Sequence, residues 1–300
     1  MINMSRRQMM FQLSCSMLGV AASAAHALPP AQKYVPWQES IWQGRSVFRQ
    51  GASRRAVILL HELNGLSRSC IGFGQELVDE GFQVHMPLLF GHFCQDAIIP
   101  GFLESCMFGE FHCNTSGKNL SSATKPINWV QAFVNRLATD AGIDQIGVIG
   151  MCQSGAFPIV TMKEGSKVRA VVLSQPALPL GQSKQSDVGL SESAMADARK
   201  SKTPILAFRF AADTLCTASR FNFLESYFGA EQFRPVIFDH CDCEQTITHR
   251  CHSVLTGPTE DARNKARATV KKFFDERLST SAALSTASHD TARREPTNAG

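Results

Sequence analysis

A doubly wound, mostly parallel α/β sheet with helices on both faces is the architecture this sequence predicts. Short apolar runs rich in β-branched residues alternate with segments of helical periodicity, the order that builds βαβ units. Several runs are apolar without interruption, as strands buried on both faces must be. One of them, Ile146-Gly147-Val148-Ile149, stops at Gly150 and turns a sharp corner through Met151-Cys152-Gln153-Ser154-Gly155.

In chain order, Trp37, Ile41, Trp42, Val47 and Phe48 suggest leading strands or packed loop between Val35 and Gln50. Ala56-Val57-Ile58-Leu59-Leu60 is a central strand, and His61-Glu62-Leu63-Asn64-Gly65 is the turn at its carboxyl end, where open α/β sheets bind ligands. Ile71, Phe73, Leu77 and Val78 recur at helical spacing until Gly81. Phe82 to Met86 forms the next strand and runs into Pro87-Leu88-Leu89-Phe90-Gly91. An excursion at about 92–125 carries Cys94, Cys106, Cys113 and four phenylalanines, which suits a partly apolar lid or pocket wall tied down by disulfide. Asn128 is placed to cap a helix bearing Trp129, Phe133 and Leu137.

After the corner, Ala156 to Lys163 is expected as a helix and Val168 to Leu173 as a strand. A second excursion, about 175–202, includes a helix from Ser191 to Lys200. Thr203 to Phe210 resumes the sheet and leaves it at Asp213; a helix around Arg220 to Tyr227 and a strand over 235–238 follow. The loop from Asp239 to Thr256 holds three histidines and three cysteines. Thr259 to Leu278 closes as an amphipathic helix with Ala266, Val270, Phe273 and Phe274 inward, and 279–300 reads as a polar disordered tail.

With 300 residues and 44% apolar content the chain can bury a large core, and residues 28–278 are expected as one domain. A net charge of +4, with basic residues no more than paired, gives nucleic-acid binding little support. No mature stretch of about 18 apolar residues marks a membrane span. Ser5-Arg6-Arg7-Gln8-Met9-Met10, a moderately apolar segment and Ala25-His26-Ala27 read as a twin-arginine export signal over 1–27. The precursor would then meet the twin-arginine machinery, and the mature chain would occupy a bacterial periplasm. Nine cysteines remain after Cys15 leaves with the signal. One reactive thiol among them would leave an even number free to pair in an oxidising compartment.

The corner at Cys152 has the form G-x-C-x-S-G, a nucleophile elbow with cysteine in place of serine. Small residues are required two positions to either side because backbone crowds backbone there, and Gly150 and Ser154 satisfy this. A buried structural cysteine is the alternative. Asp213 after a late strand and a histidine after the last give the order nucleophile, acid, histidine of an α/β-hydrolase triad.

Together, His61-Glu62 with Gly65, Pro87 to Gly91, the Cys152 elbow, Asp213, and His252 ahead of the final helix resemble the dienelactone hydrolase family, the cysteine-nucleophile branch of the α/β-hydrolase fold. The resemblance spans roughly residues 50 to 278. It implies hydrolysis of a small ester or lactone without a cofactor. In these terms Cys152 is the nucleophile, His252 the base and acid, and Asp213 its orienting partner. Backbone N–H groups of Leu63 and Gln153 form the oxyanion hole. The glutamate matching Glu62 interacts in that family with the resting cysteine and helps to control its ionisation, which implies a regulatory or proton-accepting role here. His240 and His249 share the loop of His252; the latter is preferred because His-Ser-Val-Leu resembles the family segment.

Two departures stand out: Ser154 replaces a family glycine, and Leu88 replaces an aspartate in the proline-led turn. Arg209 and Arg220 are the candidates for binding a substrate carboxylate, with structural roles as the alternative. Other functions compete. Asp239-His240-Cys241-Asp242-Cys243 with His249, Cys251 and His252 has the residue types of a zinc site, although not a standard spacing. A non-catalytic binding protein on a hydrolase scaffold is a second reading. A thiol–disulfide oxidoreductase is disfavoured because no C-x-x-C occurs.

Overall fold

The computed structural model describes residues 36–94, 124–180, 186–239 and 251–279. The proposed export signal, the body of the first excursion, the segment 240–250 and the proposed tail lie outside the described residues.

Strands β1 (Gln38–Trp42) and β2 (Arg45–Gln50) form a hairpin. β3 (Arg55–Leu60) leads through the short β4 (Gly65–Leu66) into α1 (Arg68–Asp79), which Ser67 caps through its side chain. Then come β5 (Gln83–Pro87), β6 (His92–Phe93), α2 (Thr124–Ala138) and β7 (Gln145–Met151). After β8 (Val168–Ser174), α3 (Glu192–Ser201) and β9 (Ile205–Phe210), the chain ends on α4 (Ala218–Phe228), β10 (Phe233–Phe238) and α5 (Glu260–Arg277).

Eight strands make one sheet in the order β1-β2-β5-β3-β7-β8-β9-β10, parallel from β5 to β10 and antiparallel at β1 and β2. From β3 the chain crosses to β5 on one side, then returns past β3 to β7 on the other. The ends of β3 and β7 therefore flank a topological switch point, where this architecture places its ligand crevice.

The uninterrupted apolar runs are buried on both faces, as their composition requires. Ile58, Leu60, Val148, Val171 and Ala207 face a layer containing Phe133 and Val134 of α2 and Leu224 of α4. Their neighbours Val57, Leu59, Ile149, Val172 and Phe208 face Phe73 and Leu77 of α1 and Val270, Phe273 and Phe274 of α5. Each buried Val, Ile, Leu or Phe side chain among them contributes roughly 1.5–3 kcal/mol.

Two expectations need correction. Asn128 does not cap α2, which already begins at Thr124 and places Asn128 inside the helix. The segment after the elbow is not an α-helix but a 3₁₀ turn over Phe157–Thr161. Pro158 lacks a donor, the β-branched run Ile159-Val160-Thr161 disfavours helix, and the Thr161 hydroxyl donates to the Pro158 carbonyl at 2.7 Å.

Candidate active site

β7 delivers Cys152 to the switch point in a strained turn. Its φ is +54°, a region a residue with a Cβ rarely adopts and which costs about 1–3 kcal/mol. The corner is crowded: a Cβ on Gly150 would lie 2.3 Å from the Ser154 carbonyl, and one on Gly155 2.5 Å from Pro176 Cα. Ser154 fits because its hydroxyl is put to use. It donates to the His61 carbonyl at 2.8 Å and lies 3.2 Å from the Met151 N–H, tying the elbow to the end of β3.

Asp213 leaves the sheet three residues after β9. Its Oδ1 accepts the N–H groups of Leu215 and Cys216 at 2.8 and 2.9 Å, and its Oδ2 lies 2.7 Å from His252 Nδ1. Capping the turn and holding the histidine are thus simultaneous, one oxygen to each. His252 is buried, and its Nε2 makes no aligned hydrogen bond. Burial works against its charge, yet the nearby Cys152 sulfur and the Asp213 carboxylate together raise its pKa well above 6.5. The structure thus brings Cys152, His252 and Asp213 together; His240 and His249 lie outside the described residues.

Glu62 is buried two residues beyond the end of β3. One carboxylate oxygen accepts from Gln175 Nε2 and the other from the Thr256 hydroxyl, each at 2.6 Å. Sequence reasoning missed both partners; the only signals were Gln175 at the end of a buried strand and Thr256 in the His252 loop. His61 is a staple: Nδ1 donates to the Glu62 carbonyl at 2.7 Å and Nε2 accepts the Leu89 N–H at 2.9 Å. Burial lowers its pKa to about 4 and keeps it neutral. It joins the turn after β3 to the proline-led turn after β5.

Leu63 follows Glu62 beyond the end of β3, and Gln153 follows Cys152 beyond the end of β7. The Gln153 side chain is buried with neither end of its amide hydrogen-bonded.

Other candidates fall elsewhere. Arg220 is buried and donates to the carbonyls of Asp187, Pro176, Leu215 and Pro179, while Arg209 donates to those of Cys216 and Ala211. Both hold the loops after β8 and β9 in place. Nor is Cys152 alone in carrying a thiol, as the pairing arithmetic suggested. Cys70 and Cys216 are buried thiols packed in the two core layers, and burial pushes both thiols up. Cys251 is disulfide-bonded. No cluster of three or more metal-ligating side chains occurs among the described residues, and most of the candidate zinc segment lies outside them.

An eight-stranded mixed, mostly parallel sheet with helices on both faces and a strained corner at its switch point is the fold of an α/β-hydrolase. Within that class, the chain belongs to the dienelactone hydrolase family, whose model matches residues 43–278. It is an esterase-like hydrolase of that family. The fold is shared with the Pyrococcus furiosus esterase Pf2001, at 13% identity, a TM-score of 0.51, and coverage of 81% of this chain and 93% of that one. A soluble variant of the Saccharomyces cerevisiae monoglyceride lipase matches at 13% identity and TM-score 0.54, over 86% and 100% of the chains. Est1E from Butyrivibrio proteoclasticus matches at 11% identity and TM-score 0.53, over 82% and 100%. No curated protein matches the sequence.

Proposed function

We propose that this hydrolase cleaves a carboxylic ester or lactone through Cys152, His252 and Asp213 by way of a thioester. The observation that carries the reading is the 2.7 Å Asp213–His252 pair near a cysteine held at φ +54°. Nε2 of His252 already holds the proton that Cys152 gives up, and the sulfur attacks the acyl carbon. The N–H groups of Gln153 and Leu63 receive the negative oxygen of the tetrahedral intermediate. His252 then protonates the departing alkoxide, leaving a thioester. Water, deprotonated by the same Nε2, attacks it and releases the carboxylic acid and the thiol. Asp213 fixes the imidazole tautomer throughout.

Arg209 and Arg220 are spent on backbone carbonyls, which favours a substrate that does not depend on them for a carboxylate. A panel of neutral esters and lactones set against carboxylate-bearing lactones, with wild type and Cys152→Ala, tests the reading. Turnover lost in the variant is expected; equal turnover in both would sink the mechanism.

We further infer export by the twin-arginine route, carried by Arg6-Arg7 and the Ala25-His26-Ala27 cleavage signal. The disulfide at Cys251 suits an oxidising periplasm. Arg6→Lys/Arg7→Lys should retain the precursor in the cytoplasm on fractionation; unchanged export would contradict it.

A further inference from the structure

A buried amide without partners destabilises the folded chain, because it gives up hydrogen bonds to water and forms none in exchange. Gln153 is in that state. Its side chain is 5% exposed, and neither Oε1 nor Nε2 has a hydrogen-bond partner. No other buried amide among the described residues is unmet at both ends. Gln145 and Gln232 lack a partner at Oε1 alone; their Nε2 groups donate to the carbonyls of Ser279, and of Ala198 and Thr203.

The backbone that carries this amide is fixed. Gln153 lies between Cys152, at φ +54°, and the fully buried Ser154, whose hydroxyl donates to the His61 carbonyl. The Cys152 carbonyl accepts the N–H groups of Gly155 and Ala177, each at 2.9 Å, so the loop after β8 is pinned to the elbow. Apart from Gln153, the unmet atoms in the turns beyond the carboxyl ends of the strands are Asn64 Oδ1 and His252 Nε2. The second is the nitrogen that exchanges protons with the reacting groups. Unmet hydrogen-bonding capacity thus collects at the end of the sheet where this fold binds its ligand.

We propose that the Gln153 side chain is a specificity residue that hydrogen-bonds a neutral polar group on the acyl part of the substrate. The inference rests on Cys152 being the nucleophile, since the amide is then carried by the residue whose N–H holds the acyl oxygen. An amide unmet at both ends calls for a partner that supplies an acceptor to its N–H and a donor to its carbonyl. A carboxamide does so with two atoms and a hydroxyl with one. A carboxylate supplies acceptors alone, and Arg209 and Arg220 are engaged by backbone carbonyls rather than free to neutralise it. A plain alkyl chain meets neither end.

The test uses phenyl esters in matched pairs of nearly the same shape, glycolate against propanoate and malonamate against 3-methylbutanoate. Each kcat/KM is divided by the hydroxide hydrolysis rate of that ester, which removes their differing reactivity. The readout is the ratio within a pair, which a general loss of catalysis or of folded protein does not move. Wild type should favour at least one polar acyl group on the order of 10- to 100-fold over its apolar mate. Gln153→Met should bring that ratio down to about one, because a thioether offers no comparable donor or acceptor. Gln153→Leu carries the same test if the methionine variant does not fold. A wild-type ratio near one in both pairs, or a preference that survives in the folded variant, overturns the proposal. Hydrolysis by Cys152→Ala at the wild-type rate overturns the nucleophile assignment instead, and turnover of none of these esters by wild type overturns both.

Discussion

Nδ1 of His252 lies 2.7 Å from Oδ2 of Asp213, while the opposite oxygen of that carboxylate accepts two backbone N–H groups. One side chain thus caps the turn after β9 and orients the imidazole. Asp213→Asn keeps an acceptor for the turn but disturbs the tautomer of His252. It should lower kcat on the order of 10²- to 10⁴-fold while costing little stability. Asp213→Ala removes the cap as well and should cost a further ~1 kcal/mol in urea unfolding. Unchanged kcat in Asp213→Asn would remove the orienting role.

Ser154 supplies the hydroxyl that ties the elbow to the His61 carbonyl. Ser154→Ala leaves that carbonyl and the Met151 N–H without this partner in a fully buried site, and should cost about 1–3 kcal/mol. Denaturant unfolding measures it; a loss within error would mean that size alone matters here.

Gln153 buries an amide with no hydrogen-bond partner at either end, which destabilises the substrate-free protein. Gln153→Met, similar in shape, should raise stability by about 1–3 kcal/mol. If the amide serves substrate, kcat/KM should fall in the same variant. A drop in melting temperature would contradict the account of the unmet amide.

His61 and His85 are buried, and burial lowers both to about 4 from 6.5. The sign follows: the unfolded chain binds protons that the folded chain refuses, so their contribution is full above 6.5 and is lost as pH falls toward 4. Each should remove on the order of 2 kcal/mol by about pH 5. His252 is raised instead, so its contribution is full below 6.5 and fades as pH climbs through its folded value. The two buried neutral histidines outweigh it. Unfolding free energy measured from about pH 7 to 5 should fall, and a flat or rising profile would contradict this.

Strand composition made the sheet legible, because runs such as Ala56 to Leu60 and Val168 to Leu173 are apolar on both faces and can only be central. The elbow was legible because crowding at Gly150 and Gly155 excludes larger residues. The 3₁₀ turn at Phe157–Thr161 was not, since a short apolar run fits either helix type and Pro158 decides it locally. The partners of Glu62 were not legible either. Gln175 and Thr256 lie 113 and 194 residues away along the chain, and only strand order brings them together. For the same reason Arg220 gave no hint in sequence that its guanidinium would be consumed by four loop carbonyls.

The central claim is that Cys152 carries the acyl group. Intact-protein mass spectrometry after rapid acid quench of wild type with an activated ester tests it most directly. The account predicts a transient adduct equal to the acyl mass, mapped to Cys152 and absent from Cys152→Ala, which does not turn over. Hydrolysis by Cys152→Ala at the wild-type rate, or an adduct mapped elsewhere, would contradict it.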